Sequence, residues 1–391
     1  MRVACVNLPS PFLIDDKVFP PLGILYVASA LRKVGYEPIW YDFSGATTYK
    51  SVDENIVFIT ATSPQIPTAI KYVEEFCKGK KTVIGGCGVT SLTHEQESIF
   101  DTVVSGEAEE CIKTVLSSCH NVNGEKTNLD KVEFPARDLI QGYEYKINRR
   151  SATTILTSRG CPHNCIFCVD GGHKGFRLAS VDRVCEEIDE VSNLGYRALM
   201  FFDDIFTLKK KRLREISNHL LSMGFLYRCF THVNSVNIEL CKILADSGCV
   251  EVGIGIESGS DTILKTIKKG FTKQKSIEAV NLLSDFGIRV KAFLMLGLPG
   301  ESYNTIDETK KWLQSVRVAD FDISLFSPYP DTEVWSKKAD FDISWNGDTP
   351  KFYKGKVGEY NPFVSTSGIT KDELVKERDS IERRFKNAVS T

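Results

Sequence analysis

Cys161-Pro-His-Asn-Cys165-Ile-Phe-Cys168 is the densest group of soft donors in the chain. Three thiolates within eight residues can wrap one face of an iron–sulfur cubane, for which cysteine thiolate is the usual ligand. A cubane takes four ligands, and no fourth cysteine lies nearby, so one iron would stay open to a substrate or cofactor. Zinc is the rival, because Cys₃His sites exist and His163 or His173 could complete one. Structural zinc sites usually combine two paired-ligand knuckles, and the second knuckle is missing here, which favours iron–sulfur. The chain has twelve cysteines; those outside this group are dispersed among apolar neighbours, the pattern of buried thiols acting as small hydrophobes.

Acids and glycines punctuate the sequence further on. Phe-Phe-Asp203-Asp204, Gly-Ile-Gly-Ile-Glu257-Ser258-Gly-Ser and Met-Leu-Gly297-Leu-Pro-Gly300-Glu301 each close an apolar run that reads as a strand. Strands are expected near 153–157, 197–203, 227–231, 250–256, 289–296 and 320–326. Helical stripes lie between them: Val181, Val184, Ile188, Val191 and Leu194 end at Gly195, and Ile277, Val280 and Leu283 end at Gly287. Six strand–helix units are too few for a closed eight-fold barrel and fit an open, partial (β/α)6 barrel over 151–330. The chemistry-bearing groups then all fall at carboxyl ends of strands, where barrel enzymes carry their active sites.

Residues 1–120 read as a separate α/β domain, doubly wound and flavodoxin-like, with strands near 2–7, 37–43, 56–61, 82–85 and 102–105. A helix follows Pro21, with Ile24, Val27, Leu31 and Val34 on one face and Gly35 as its stop; another spans 67–77. Residues 121–150, polar and without periodicity, read as a linker. Residues 331–391 read as a small C-terminal cap, in which Tyr329 just before it, Trp335, Trp345 and Tyr353 are candidate substrate walls.

Cys-x₃-Cys-x₂-Cys after the first barrel strand, with the aromatic Phe167 before the last cysteine, resembles the radical S-adenosylmethionine (SAM) superfamily. The resemblance implies a 4Fe–4S cluster on Cys161, Cys165 and Cys168, whose open iron chelates SAM. An electron from the cluster then cleaves the S–C5′ bond and yields a 5′-deoxyadenosyl radical. By the same resemblance Phe167 lies against the adenine, and Asp203 or Asp204 holds the SAM ammonium, a pairing strengthened by charge; either acid could instead cap the next helix. Glu257 and Ser258 match the ribose- and SAM-contacting segment, and Gly297 lets backbone approach the adenine. Arg177, in Gly175-Phe-Arg177, would pair with a SAM or substrate carboxylate or lie solvated at the surface. His232 stands where relatives often show arginine, and reads equally as an ordinary polar residue at a strand end.

Pro20-Pro21-Leu-Gly23, Gly85-Gly86 and Ser105-Gly106-Glu107-Ala-Glu109 resemble the cobalamin (B12)-binding domain of the cobalamin-dependent branch. Gly85, Gly86 and Glu107 are the corresponding cofactor-binding candidates. Many cobalamin domains carry a histidine below the cobalt in an Asp-x-His-x-x-Gly loop; here the first loop reads Asn7-Leu-Pro-Ser-Pro. That fits cobalamin without a protein imidazole, and equally a domain that kept the fold and lost the cofactor. The implied activity is a methyltransferase acting on an unactivated carbon of a small molecule or lipid precursor, with reduced flavodoxin or ferredoxin as electron donor. Radical chemistry without cobalamin (ring closure, rearrangement or C–S bond formation) is the alternative. A non-catalytic Fe–S or zinc protein is another, but it leaves unexplained why Asp203, Glu257 and Gly297 close successive strands.

Net charge is −2, so nothing suggests a nucleic-acid-coating surface. No apolar run reaches the roughly 18–20 residues of a membrane span, and the N-terminus goes straight into a strand-like run. With no disulfide framework indicated, a cytoplasmic location is expected.

Overall fold

Val3 and Cys5 face one side of β1 (Arg2–Asn7), and Ala4 and Val6 face the other. That two-sided burial makes β1 the centre of a three-layer domain. The strands are β2 (Glu37–Asp42), β3 (Ile56–Thr60), β4 (Lys81–Gly85), β5 (Thr102–Gly106) and β6 (Val122–Gly124). They pair in parallel in the order β2-β1-β3-β4-β5-β6, the flavodoxin-like winding with one strand added. On one face, Val3, Cys5, Phe58 and Val83 pack with Ile24, Ala28 and Leu31 of α1 (Leu22–Lys33). On the other, Ala4, Val6, Ile59 and Ile84 pack with Ala69, Tyr72 and Val73 of α2 (Ile66–Phe76). The short helices α3 (His94–Glu97) and α4 (Ile112–Ser117) complete the connections.

The computed structural model describes residues 1–10, 19–140, 145–169, 175–345 and 362–389. These fall into two compact units that part between Tyr145 and Lys146. Of the stretch 121–150, expected as a linker, residues 121–140 supply β6 and then lace back onto α1. Ser29 Oγ donates to Phe134 O at 2.5 Å, Ala136 N–H to Leu25 O at 3.1 Å, and Arg32 grips Asp138 through two bonds of 2.8 and 2.7 Å. Its order comes from these bonds and from scattered buried residues such as Val132 and Ile140, not from a repeating apolar period.

The second unit is the partial barrel. After the hairpin strand β7 (Lys146–Ile147), the strands are β8 (Arg150–Ile155), β11 (Ala198–Phe201), β12 (Leu226–Thr231), β13 (Cys249–Glu257), β14 (Arg289–Leu296) and β15 (Asp320–Leu325). A two-strand ladder, β9 (Ser158–Arg159) with β10 (Arg177–Leu178), lies between β8 and β11. The six main strands are parallel in sequential order, with β7 antiparallel on the outer side of β8. The covering helices are α5 (Val181–Asn193), α6 (Lys210–Ser222), α7 (Ile238–Asp246), α8 (Asp261–Thr266), α9 (Lys273–Asp285) and α10 (Tyr303–Ser315). Ser180 caps α5, and Thr272 caps α9, each accepting from a backbone N–H in the first turn.

The C-terminal region adds α11 (Glu333–Ser336), the small antiparallel pair β16 (Ser344–Trp345) with β17 (Val364–Ser365), and α12 (Lys371–Val389). The final helix packs against the barrel. The buried Arg378 donates from Nε to the Ile323 carbonyl of β15 at 3.2 Å, and Lys310 of α10 pairs with Glu377 at 2.7 Å. Helix α12 thereby covers the last strand, whose outer edge would otherwise present unpaired backbone. Trp335 and Trp345 stack at 5.6 Å within the cap; Tyr353 lies outside the described residues. Among the described residues, no helix is long and apolar enough to cross a membrane.

Candidate active site

The cysteine loop leaves the barrel through a narrow neck. Ser158 and Arg159 pair antiparallel with Leu178 and Arg177. Just beyond, Gly160 has φ +83, and a Cβ on it would lie 2.0 Å from the Gly175 carbonyl oxygen. Only glycine supplies both the left-handed backbone and that approach. Inside the loop, Ile166 is fully buried and fixed from two sides, its N–H donating to Ile267 O at 3.3 Å and its carbonyl accepting from Val334 N–H at 3.1 Å. Cys161, Cys165 and Cys168 flank this anchor, each half-buried, and Cys168 N–H turns back to Cys165 O at 3.1 Å. Burial pushes the Cys161 and Cys165 thiols up, while Lys269 pulls both down. Among the described residues no three His, Cys, Asp or Glu side chains form a finished metal cage. His173 lies outside the described residues.

Asp203 is not available to a ligand. It is fully buried; its Oδ1 accepts from Thr157 N–H at 2.6 Å, and its Oδ2 accepts from the Thr157 and Ser158 hydroxyls at 2.5 and 2.7 Å. Burial raises its pKa against these bonds. Arg212 of α6 completes the brace, donating to Thr157 Oγ1 at 3.2 Å, to Thr157 O at 3.0 Å and to Ala179 O at 3.0 Å. The expected alternatives at Asp203-Asp204 thus separate: Asp203 holds the base of the cysteine loop, and the exposed Asp204 is the acid whose charge reaches Cys161.

Glu257 ends β13 at a register slip against β14, with φ +65. Such a conformation in a non-glycine residue costs about 1–2 kcal/mol and must be held by its surroundings. The partner is Lys269, a residue that no motif singled out: its Nζ lies 3.2 Å from Glu257 Oε1, and both side chains are under 10% exposed, at 7% and 9%. Gly255 makes room, since a Cβ there would lie 2.5 Å from Glu257 Oε1. Ser258 Oγ is engaged by Ser260 N–H at 3.1 Å and by Thr309 Oγ1 at 3.3 Å, so it secures the turn into α8.

Gly297 has φ +87, but the atoms it makes room for are protein: a Cβ would meet Val364 at 2.9 Å and Leu374 at 3.0 Å. The bare side of the glycine admits the C-terminal segment. Glu301, one turn further, is almost fully buried, accepts a short hydrogen bond from Thr305 Oγ1, and has its pKa pushed up to about 7 by burial. Arg177 is half-buried on β10, at the neck. Phe167 lies on the cysteine loop with its ring centroid 5.9 Å from Lys269 Nζ. His232 stacks on His163 at 3.9 Å and accepts at Nδ1 from Asn234 N–H at 3.2 Å. That bond puts the ring proton on Nε2. Burial, with Lys269 and His163 adding to it, drops the His232 pKa to about 3, so the ring is neutral.

In the N-terminal unit the carboxyl-end loops are bound to each other. Asn7 Nδ2 donates to Ser44 Oγ at 2.8 Å, Gln65 Nε2 to Leu8 O at 2.6 Å, and Gly88 N–H to Ala61 O at 2.9 Å. Gly86, at φ +100, lets Ala61 O come within 2.7 Å of where its Cβ would be; a Cβ on Gly85 would make only ordinary contact with Val104. Glu107 is already engaged: its Oε2 accepts from Thr127 N–H at 2.9 Å and Thr127 Oγ1 at 2.6 Å, fixing the turn after β6.

Residues 155–313, from the end of β8 to α10, match the family model described as the radical SAM superfamily. An uncharacterized methyltransferase of Pyrococcus horikoshii is 31% identical over 356 residues, covering 81% of this chain and 78% of that protein. The chain belongs to the radical SAM superfamily. As a member of that superfamily it is an enzyme, and its two-unit α/β architecture has solved counterparts there. The methyltransferase TsrM of Kitasatospora setae, solved with cobalamin and a [4Fe–4S] cluster, superposes with TM-score 0.66 at 15% identity, covering 85% of this chain and 74% of TsrM. The cobalamin-dependent radical SAM enzyme OxsB, solved with aqua-cobalamin and SAM, gives 0.66 at 18% identity, covering 98% and 61%. At those identities the likeness is one of fold.

Proposed function

We propose that this radical SAM enzyme is a cobalamin-dependent methyltransferase acting on an unactivated carbon of a small molecule or lipid precursor. The observation that carries the reading is the cysteine loop: three half-buried thiols on one loop, clamped at its neck by Gly160 and Gly175 and anchored at Ile166. Three thiolates with no fourth cysteine beside them suit a cubane with one open iron, and the half-buried setting leaves that iron reachable. Cys161, Cys165 and Cys168 would hold the cluster. When bound, the cluster and SAM supply a hydrogen-abstracting 5′-deoxyadenosyl radical, and cobalamin supplies a carrier for the transferred methyl group.

The chain's own residues divide the remaining work. Asp203, through Thr157 and Ser158, holds the loop base against β11. Asp204 offers a carboxylate to the SAM ammonium, Glu257 offers its second oxygen to ribose hydroxyls, and Phe167 offers a ring face to the adenine. Loops 8–10, 61–65 and 86–91, at the carboxyl ends of β1, β3 and β4, form the rim where doubly wound domains take ligands; this rim is the part of the N-terminal unit suited to the corrin. Its support is the bonded loop geometry and the likeness of fold. A reduced flavodoxin or ferredoxin would supply the electron.

The test is anaerobic reconstitution with iron, sulfide and hydroxocobalamin, then desalting and a count of iron, cobalt and SAM cleavage products. About four irons per chain with equimolar cobalt and cleaved SAM support the whole reading. Iron without cobalt leaves a radical SAM enzyme that does other chemistry. No iron, where a control enzyme loads, overturns it.

A further inference from the structure

Lys269 is a cation in a place that normally excludes one. Its residue is 6% exposed, and an unpaired ammonium at that depth would lose its proton or unfold its surroundings. Burial does work against its charge, but Glu257, Cys165 and Cys168 outweigh it and hold the ammonium protonated. The site is built around the charge. Nζ lies 3.2 Å from Glu257 Oε1, 5.9 Å from the Phe167 ring centroid and 5.7 Å from that of Phe271, both within cation–π reach. The Ile166–Ile267 backbone bond of 3.3 Å ties the segment carrying Lys269 to the cysteine loop. Gly255 is bare on the side of the pair, where a Cβ would lie 3.3 Å from Nζ.

A salt bridge this deep is not a source of stability in itself, since apolar residues of like volume often serve as well or better. Its worth lies in the field it makes. The cation's charge acts on Cys161, Cys165 and Cys168, and the carboxylate's on Cys165. Reduction adds negative charge to a cluster, and a fixed cation beside it in a poorly screened site favours the reduced form.

We propose that Lys269 is a resident counter-charge of the cysteine loop, a positioning residue that locks Glu257 and raises the reduction potential of the cluster. The inference rests on the reading that Cys161, Cys165 and Cys168 hold that cluster. Replacing the charge should make the cluster harder to reduce without removing it, and arginine should restore the wild-type value.

The experiment is a mediated redox titration of the reconstituted full-length enzyme, followed by electron paramagnetic resonance of the reduced cluster, with iron counted on the same samples. Lys269→Gln is expected to shift the midpoint to more negative potential at unchanged iron content, and Lys269→Arg to return it. Because the single variant strands Glu257 in a buried site, Lys269→Met/Glu257→Gln is the variant chosen to fold. It is expected to keep a negative shift smaller than that of Lys269→Gln. Unchanged or positive midpoints in iron-loaded variants overturn the inference. Loss of iron from the wild type would instead overturn the cluster reading beneath it.

Discussion

Asp203, at the end of the second barrel strand, binds Thr157 twice, through backbone N–H at 2.6 Å and hydroxyl at 2.5 Å. The acid therefore closes the seam between β8 and β11 at the point where the cysteine loop begins. Asp203→Ala would leave an N–H and two hydroxyls buried without an acceptor, a loss of about 3 kcal/mol. A lowered Tm and reduced iron per chain after reconstitution are expected, with Asp203→Asn milder in both. A wild-type melting curve for the alanine variant would refute the brace.

Gly160 and Gly195 share nearly the same left-handed backbone, at φ +83 and +92, but only Gly160 has a neighbour in the way. Gly195→Ala should cost only the backbone strain, about 1–2 kcal/mol, and load iron normally. Gly160→Ala adds a collision with the Gly175 carbonyl and should fail to retain iron. Equal iron in the two variants would mean that the neck does not organise the loop.

Glu301 gives the fold a pH dependence of known sign. Burial raises its pKa from 4.5 to about 7, so between those values the folded state keeps a proton that the unfolded state releases. Stability is full below about pH 4.5 and falls as pH rises toward 7, by up to about 3 kcal/mol from this group. Glu301→Gln should flatten the difference. Urea unfolding of both proteins from pH 5 to 8 (~1-unit steps) checks it; parallel curves would refute it.

Replacing Cys161, Cys165 or Cys168 singly by serine should abolish iron retention and SAM cleavage together. Cys185→Ser, on the half-buried flank of α5, should leave both intact. Iron analysis of the purified, reconstituted variants separates the loop from the remaining thiols.

Both sheets were legible in the sequence because their strands are short apolar runs closed by glycine or acid, and because β13 to β15 follow one another without a long insertion. The cysteine loop was legible from its spacing together with its place after a strand of the second series. Other features depend on contacts between distant residues. Lys269 sits twelve positions after Glu257, and only the fold brings the two together. Asp203 and Asp204 look alike in sequence, and only the turn of the chain beyond β11 decides which one is buried against Thr157 and Ser158. Gly297 satisfied the expectation of a close approach, but the approaching atoms belong to Val364 and Leu374, far along the chain. Segment 121–140 reads as a linker in sequence because hydrogen bonds to α1, not periodic apolar residues, give it order.

The neck between Gly160 and Gly175 joins the two ends of the cysteine loop without any help from the sulfurs. Closing a flexible loop costs entropy that grows slowly with length, about 0.6 kcal/mol for each doubling. Here the β9–β10 ladder and the folded barrel carry part of that cost, so that part would not fall on metal binding. The chain behaves in this respect as a macrocyclic chelator does beside its open-chain counterpart. Its affinity would depend more on two glycines that never touch metal than on the polar residues placed among the donors.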